Sequence, residues 1–468
     1  MRKSLIVFCL LLLCGGGFLA GTAGAVGSRQ DRIAVTETTL AGDPAAAEGL
    51  SVEVSLEMES QLFWTTVFAA GADPVPETEF QFYQERQTTP LYGRTDTVEL
   101  YVEQGGGYVV SGQMDLAEWE AEDRSDGLLL KPAMDVAGRT PAGESRTEVV
   151  QLNDYYAYYP LYLQLSLYTT LEIPEVAGVQ LEQLSDCLRI PVPDSELVEV
   201  TVQKDAEGVV CYVESNSYTA EDAQSSVLYG SGVACENAVY LILCGNAKFS
   251  QLRDGYGVYR IPIEYVTALE ASYDQVSGLG FSEPTAHLRM DRMENIFPLD
   301  PACSQEVTLQ QGLDAEELLL LAPENGQVVL TVLDAGTGAV RQSMTLDTAA
   351  CPRVWLHGEL LILGCSLYTP EARLQVFRRE DGRYVPWLET AFYPLNNENR
   401  YYQPAFAFDG RRLAIAAQRQ YYWGGSHRLT VYDQNGLCYA GDYAFSCDSL
   451  PEPPANWDSD RVLQLRWE

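Results

Sequence analysis

The chain has 468 residues, of which 66 are acidic and 30 basic, so its formal net charge at pH 7 is −36. A surface of that charge repels phosphate backbones and anionic lipids at long range, which argues against nucleic acid as a partner and against membrane binding beyond an N-terminal anchor. Hydrophobic residues make up 46% of the chain, enough to bury a sizeable core.

The first residues have the three parts of a secretory signal. Arg2 and Lys3 precede an apolar run from Leu5 to Leu13, and small residues then lead to Ala23-Gly24-Ala25. We predict a signal peptide over 1–25 and an extracellular or cell-surface location. The alternative is an uncleaved anchor from Ser4 to Val26, which reaches the ~20 residues that a bilayer span needs.

Two short regions follow the signal. Residues 26–49 are rich in Ala, Gly, Thr and acidic side chains and predict a flexible linker. Residues 50–92 form an N-terminal strand and loop region. In it Leu50 to Glu59 alternates apolar with polar residues, as a strand with one wet, acidic face does, and Asp73 to Thr89 predicts a loop.

The remaining residues, 93–468, predict strands almost throughout. Their apolar runs are short and most are bounded by Gly, Asp, Asn or Pro, which favours strands over helices. Asp115 to Ser195 has no pattern that assigns an element.

The last third contains a repeat. The hairpins "VVLTVLDAGTGAVRQSMTL", "RLQVFRREDGRYVPWLETAF" and "RLTVYDQNGLCYAGDYAF" turn at Gly336, Gly382 and Gly436, which are 46 and 54 residues apart. A continuous apolar strand precedes each hairpin, giving about four strands per ~50 residues, the size of a propeller blade. We therefore predict an all-β chain with a β-propeller of six to eight degenerate four-stranded blades over 93–468.

The segment "LDAGTGAV" resembles the Asp-x-x-Thr-Gly turn of quinoprotein-like and WD40-like propeller blades. The resemblance covers three blades between Asp314 and Phe445 and a looser one around "GVACENAVYLILCG". It implies that Asp334, Thr337 and Gly338 fix a turn. The Trp of that blade type is replaced by Gln342, and the chain lacks the Cys-Cys pair of quinone-dependent dehydrogenases, so the resemblance implies an architecture and no cofactor.

Catalytic and metal motifs are sparse. His287, His357 and His427 are the three histidines, none at a metal-ligand spacing from another, and there is no G-x-S-x-G elbow for a serine nucleophile. "NWDSDR" begins like a calcium loop but lacks its Gly and Glu, which favours a polar loop. We predict no metal site.

Nine cysteines follow the signal with no C-x-x-C spacing. A bridge between Cys351 and Cys365 across a turn is geometrically conceivable, and the alternative is two buried thiols.

Aromatic clusters are the candidate binding residues. They are Tyr155, Tyr156, Tyr158 and Tyr159 with Tyr162 close by, and Tyr421, Tyr422 and Trp423 with Tyr401 and Tyr402 nearby. Exposed Tyr and Trp supply rigid contact area for proteins and stack on sugar rings. The alternative is that these rings fill the core or cover sheet edges. We expect at least one of the three residues at 421–423 to be exposed.

Three functions remain open. The first is a non-enzymatic, exported module or scaffold that binds an unknown protein or glycan at the cell surface. The second is an exported carbohydrate-active enzyme, a glycosidase or lyase with carboxylates in the central funnel. The third is the ectodomain of a surface assembly whose partner is another membrane protein.

Overall fold

In the computed structural model, the described residues are 2–28, 32–58, 62–71, 74–82, 97–104, 108–121, 128–168, 184, 188, 191–218, 227–243, 254–267, 272–273, 280–281, 284–300, 307–365, 372–392, 404–418, 426–447 and 461–468.

These residues form three α-helices and thirty β-strands. The helices are α1 (Arg2–Gly27), α2 (Leu116–Ala121) and α3 (Leu130–Arg139). The first ten strands are β1 (Ile33–Gly42), β2 (Leu50–Met58), β3 (Leu62–Ala69), β4 (Glu77–Phe82), β5 (Thr97–Gln104), β6 (Tyr108–Met114), β7 (Ser145–Gln151), β8 (Leu161–Tyr168), β9 (Leu197–Lys204) and β10 (Val210–Tyr218). The next eleven are β11 (Val227–Cys235), β12 (Ala238–Leu243), β13 (Gly257–Thr267), β14 (Ser272–Tyr273), β15 (Gly280–Phe281), β16 (Pro284–Leu288), β17 (Glu294–Pro298), β18 (Thr308–Gln311), β19 (Glu317–Glu324), β20 (Gln327–Asp334) and β21 (Val340–Leu346). The last nine are β22 (Arg353–His357), β23 (Leu360–Cys365), β24 (Arg373–Glu380), β25 (Arg383–Ala391), β26 (Ala405–Phe408), β27 (Leu413–Gln418), β28 (Ser426–Asp433), β29 (Gly436–Cys447) and β30 (Arg461–Trp467).

The chain divides into two compact units. Unit 1 consists of residues 1–93 and 352–468, and unit 2 of residues 94–351. The strand pairs within each unit's sheets are antiparallel.

Unit 1 contains three sheets. Sheet A has the order β1-β29-β28-β27-β26, sheet B the order β30-β2-β3-β4, and sheet C the order β22-β23-β24-β25. Sheet A shares one hydrophobic cluster with sheet B and another with sheet C. Its strand β27 serves both, because Ala414 and Ala416 point to one face while Leu413 and Ile415 point to the other. A strand buried on both faces must be apolar throughout, which explains "RLAIAAQ".

Unit 2 also contains three main sheets. Sheet D has the order β18-β19-β20-β21, sheet E the order β16-β13-β12-β11-β5-β8 with β17 beside β13, and sheet F the order β6-β10-β9-β7. Sheets D and E share one large cluster, and the Tyr240 hydroxyl of β12 donates to the carbonyl of Ala335 at 2.9 Å. Sheet F packs one face on α3 in a cluster of its own.

The mainly β prediction is confirmed, and so are the three hairpins. They are β20 with β21, β24 with β25, and β28 with β29. Each belongs to a run of four consecutive strands, β18–β21, β22–β25 and β26–β29, which confirms four strands per repeat. The apolar strands β19 and β23 are buried along most or all of their length, like β27.

The flexible linker predicted over residues 26–49 is wrong for much of that range. Residues 33–42 form β1 and pair with β29, and a 3-10 turn follows at Pro44–Ala47. Only two residues of β1, Ile33 and Val35, are buried, so the local sequence gives little indication of a strand. The ladder to β29 supplies the missing stabilisation, because it satisfies the backbone polar groups.

A predicted loop and a predicted domain boundary also differ from the structure. The loop predicted over Asp73 to Thr89 contains β4, which pairs with β3. The single domain predicted over 93–468 is divided near residue 351, and its last part groups with the N-terminal residues.

The predicted signal lies within α1, and cleavage after Ala25 stays a prediction. Among the described residues, none of the helices is both long and apolar enough to cross a membrane.

The bridge between Cys351 and Cys365 is not formed. The Cys351 sulfur lies 3.7 Å from the carbonyl oxygen of Leu321, and the Cys365 sulfur lies 4.0 Å from Oε1 of Gln375.

Candidate functional site

The four described candidate tyrosines lie between β7 and β8. Tyr155 ends a 3-10 turn, and its hydroxyl donates to Oδ2 of Asp135 on α3 at 2.5 Å. Burial, together with this bond, raises the pKa of Tyr155 to about 12. The same bond, followed by that from Arg139, lowers the pKa of Asp135. Tyr155 therefore fastens the turn to the helix.

Tyr156 and Tyr159 also support the fold. The Tyr156 hydroxyl accepts a bond from the backbone N–H of Lys131 at 3.0 Å, and the Lys131 ammonium lies 5.0 Å from the ring centroid. Tyr156 packs against the cluster beneath α3, and Tyr159 packs against that cluster and the one between sheets D and E. Tyr158 is 45% exposed and forms a β-bridge with Pro191. The four rings do not form one exposed platform, and binding by them stays a prediction.

The other aromatic candidates cannot be placed in the same way. Tyr421, Tyr422 and Trp423 lie outside the described residues, as do Tyr401 and Tyr402 and the side chain of Tyr162.

The surroundings of the three histidines are those of structural residues. His287 is exposed on β16, and His427 is buried with its ring edge-on to Phe445 at 5.6 Å. Burial lowers the pKa of His357. Across the part of the chain that the structure describes, there is no group of three or more His, Cys, Asp or Glu residues able to hold a metal ion.

The hairpin of Asp334 is held by its own side chains. Oδ1 of Asp334 accepts from the backbone N–H and the hydroxyl of Thr337 at 2.8 and 2.7 Å, and Oδ2 accepts from Arg341 at 2.6 Å. These bonds, the Arg341 bond first, lower the pKa of Asp334 to about 2. Gly338 has φ of +70°, and a side chain there would strike the carbonyl of Ile296. The expectation that these residues fix a turn is confirmed.

A buried polar cluster, which sequence did not predict, lies between sheets A and B. The Tyr439 hydroxyl bonds Oε1 of Glu37 at 2.7 Å and lies 2.9 Å from the Tyr443 hydroxyl. Tyr443 in turn accepts from the backbone N–H of Gly71 at 3.0 Å. The two rings are at most 1% exposed, so this cluster is part of the scaffold and is closed to a ligand.

Like sheet B, sheet F has one face that is partly exposed. Along its central strand β9, Val198, Val200 and Val202 are buried against α3, while the residues between them are partly exposed. Strands β12, β19 and β23 in the other sheets are buried on both faces. We call the uncovered side of sheet F the open face. From the strand register, the described residues of the open face are Val109, Ser111, Ser145, Thr147, Val149, Gln151, Leu197, Glu199, Thr201, Gln203, Tyr212, Glu214 and Asn216.

The open face combines apolar edges with a polar centre. Val109 on one outer strand is 55% exposed, Val149 on the other is 56% exposed, and Leu197 is 36% exposed. The polar groups begin at the outer strand β7, where the hydroxyl of Thr147 lies 2.8 Å from that of Thr201 on β9, and the Glu214 carboxylate lies one strand further on, on β10. The face therefore carries both apolar and hydrogen-bonding groups that are accessible to solvent.

Sequence reasoning missed this surface, although a signal for it existed. The run "LVEVTVQK" alternates apolar and polar residues from Val198 onward, which is typical of a strand with one wet face. The pattern does not say which wet face carries chemistry.

Comparisons with known proteins do not assign a family to this chain. No protein-family model matches the sequence, and no curated protein matches it significantly. Among solved structures, a candidate 6-phosphogluconolactonase from Bacteroides fragilis is 10% identical, with a TM-score of 0.30 over 86% of this chain and 100% of that one. The β-propeller domain of the Trilobed protease from Pyrococcus furiosus is 9% identical, with a TM-score of 0.23 over 52% of this chain and 67% of that one. An α-L-arabinofuranosidase from Clostridium thermocellum is 8% identical, with a TM-score of 0.20 over 54% and 93% of the two chains. At these values the neighbours assign neither a fold nor an activity to this chain.

Proposed function

We propose that this protein is an exported, non-enzymatic module that binds a protein or glycan at the cell surface through the open face. The observation that carries the proposal is the open face itself. It is a four-stranded surface with one side packed on α3 and the other left partly exposed, with Val109 and Val149 at its edges. Val149 and Leu197 lie on adjacent strands of this face, and neighbouring exposed apolar side chains suit contact with another molecule.

The scaffold that we propose is of the β-propeller type. Three runs of four consecutive antiparallel strands support it, as does the face-to-face packing of sheets A and C. A propeller repeats four-stranded sheets around an axis, with neighbouring sheets packed in this manner. Export rests on the signal pattern at residues 1–25.

The ionised state of Glu214 suits a hydrogen-bond acceptor and excludes the role of general acid at this face. Hydrogen bonds from Asn216 and Tyr212 lower the pKa of Glu214, so the carboxylate is ionised at neutral pH. A glycosidase acid needs the opposite shift, because it must hold a proton near neutral pH.

The test uses the labelled full-length protein and intact cells of the organism that encodes it. We expect saturable binding to the cell surface by the wild type and loss of binding by the double variant Val149→Arg with Leu197→Arg, because two cations would occupy the apolar part of the face. Val340→Arg is the matched control, since Val340 is 53% exposed on β21 of sheet D. Unchanged binding by the double variant would refute the proposal. Turnover of a glycan or ester that one Asp or Glu substitution abolishes would refute the non-enzymatic role.

A further inference from the structure

A row of hydrogen-bonded polar side chains runs along β10 on the open face. Tyr212, Glu214 and Asn216 occupy alternate positions and therefore point to the same side of the sheet. The Tyr212 hydroxyl donates to Oε2 of Glu214 at 2.9 Å, and Nδ2 of Asn216 donates to Oε1 at 3.1 Å. Both oxygens of one carboxylate are thus held by neighbours on the same strand, which fixes its orientation. We call this row the β10 ladder.

The β10 ladder still has hydrogen-bonding capacity. A carboxylate accepts about four hydrogen bonds, and the ladder gives Glu214 one at each oxygen. The amide oxygen of Asn216 and the hydroxyl oxygen of Tyr212 add acceptors, and Thr201 and Gln203 stand beside them on β9. The surface therefore presents several fixed acceptors over about 13 Å of strand.

The charge of the open face limits what it can bind. Among its described residues, the two carboxyl groups are those of Glu199 and Glu214, and none is Lys or Arg. Phosphate, sulfate and uronate groups would be repelled, since like charges in contact are unfavourable even at the surface. A ligand rich in uncharged hydroxyl donors fits, because a hydrogen bond to an ionised acceptor is about twice as strong as one between neutral groups.

The apolar parts of the face fit the same kind of ligand. The Tyr212 ring and the exposed Val109 lie on neighbouring strands around the ladder. A sugar ring has polar hydroxyls at its rim and C–H groups on its faces, and amphipathic rings such as Tyr pack on such faces.

We infer that the ligand of the open face is a neutral saccharide, bound by the β10 ladder with Glu214 as the central acceptor. This inference rests on the proposed binding function and names its ligand class.

The test is retention of the full-length protein on polysaccharide beads. Mannan, starch and xylan are the neutral probes, and heparin and polygalacturonate are the anionic ones. We expect retention on at least one neutral polysaccharide and none on the anionic beads. Glu214→Gln should weaken retention about tenfold or more, because a hydrogen bond to a charged group contributes roughly 1.5–3 kcal/mol. Glu207→Gln should leave retention within about twofold, since Glu207 lies exposed in the turn between β9 and β10, outside the open face.

Separate measurements test whether the variants are folded and which part of the proposal a negative result would overturn. Circular dichroism of each variant should match the wild type, and Asn216→Ala provides a second change in the ladder that keeps the charge of Glu214. Wild-type retention by Glu214→Gln would overturn the role of the ladder. Absence of retention on every neutral bead, with cell binding still lost in the Val149→Arg/Leu197→Arg protein, would overturn the saccharide and leave the binding function standing. Cell binding insensitive to that double variant would overturn the function as well.

Discussion

At the residue scale, Asp334 contributes stability that depends on pH. Its three acceptor bonds tie together the Thr337 turn and Arg341, and its pKa of about 2 lies below the ordinary value of 3.8. A carboxyl group whose pKa is lower in the folded state stabilises the fold above its unfolded pKa. That contribution is lost as the pH falls from about 4 to about 2.

We therefore expect Asp334→Ala to lower the free energy of unfolding by about 1–2 kcal/mol at pH 7. The difference from the wild type should shrink as the pH falls through the same window, because the wild-type carboxylate becomes protonated there. Urea unfolding followed at several pH values measures both effects. Glu324→Ala, an exposed change at the end of β19, is the control. A difference that stays constant down to about pH 2 would contradict the prediction.

Residue roles were predictable where one local motif determines them. Asp334, Thr337 and Gly338 are close in sequence, so the turn they form follows from local geometry alone. Tyr155 and Tyr156 could be identified as notable, but their roles could not be predicted, because these depend on contacts with Asp135 and Lys131 of α3. Glu214 was hidden among 66 acidic residues, and only the register of sheet F distinguishes it.

At the scale of elements, β1 is held to β29 by its backbone ladder and by a polar cluster around Glu37. Its Glu37 is bonded by Thr39 and by Tyr439, and the second carboxylate oxygen of Glu37 is buried with no hydrogen-bond partner among the described residues. A carboxylate oxygen that is buried without a partner is costly, so the Tyr439 bond matters more than an exposed one would.

We expect Tyr439→Phe to loosen β1 while leaving the rest of sheet A folded. The change removes the hydroxyl that bonds Glu37 and lies beside Tyr443, at a cost of about 1–3 kcal/mol. Hydrogen exchange should report faster exchange of the β1 amides, with β27 and β28 little changed. Tyr265→Phe, which removes one exposed hydroxyl bond to the carbonyl of Glu236, should have a much smaller effect. Equal protection of β1 in both variants would contradict the assigned role.

The hairpins and β1 show why some elements were predictable and others were not. Each hairpin joins strands that are neighbours in sequence, and alternation with a turn Gly is enough to identify it. Strand β1 has only two buried apolar residues, and its Glu37 and Tyr439 are 402 positions apart. No local sequence pattern predicts the contact between Glu37 and Tyr439.

At the scale of the whole molecule, one unit is a single segment of the chain and the other is built from two segments. Unit 2 is one continuous segment, residues 94–351, with sheets D, E and F and two large hydrophobic clusters. Unit 1 is assembled from both ends of the chain, and sheets A and B each combine strands from the two ends. Composition and repeat spacing predicted the strands, but they could not predict this division, because it is set by pairings between distant segments.

The division predicts how fragments behave. Residues 94–351 should fold alone, because every strand of sheets D, E and F lies within them. Residues 352–468 should not, because Leu50, Val52 and Phe68 of β2 and β3 complete the cluster that covers one face of sheet A. Without them, the apolar residues of β27 and β28 on that face would meet water, at roughly 25 cal/mol for each Å² exposed. Thermal unfolding followed by circular dichroism should be cooperative for 94–351 and absent for 352–468. Adding residues 32–93 in trans should restore a transition to 352–468, and a cooperative transition of 352–468 by itself would contradict the argument.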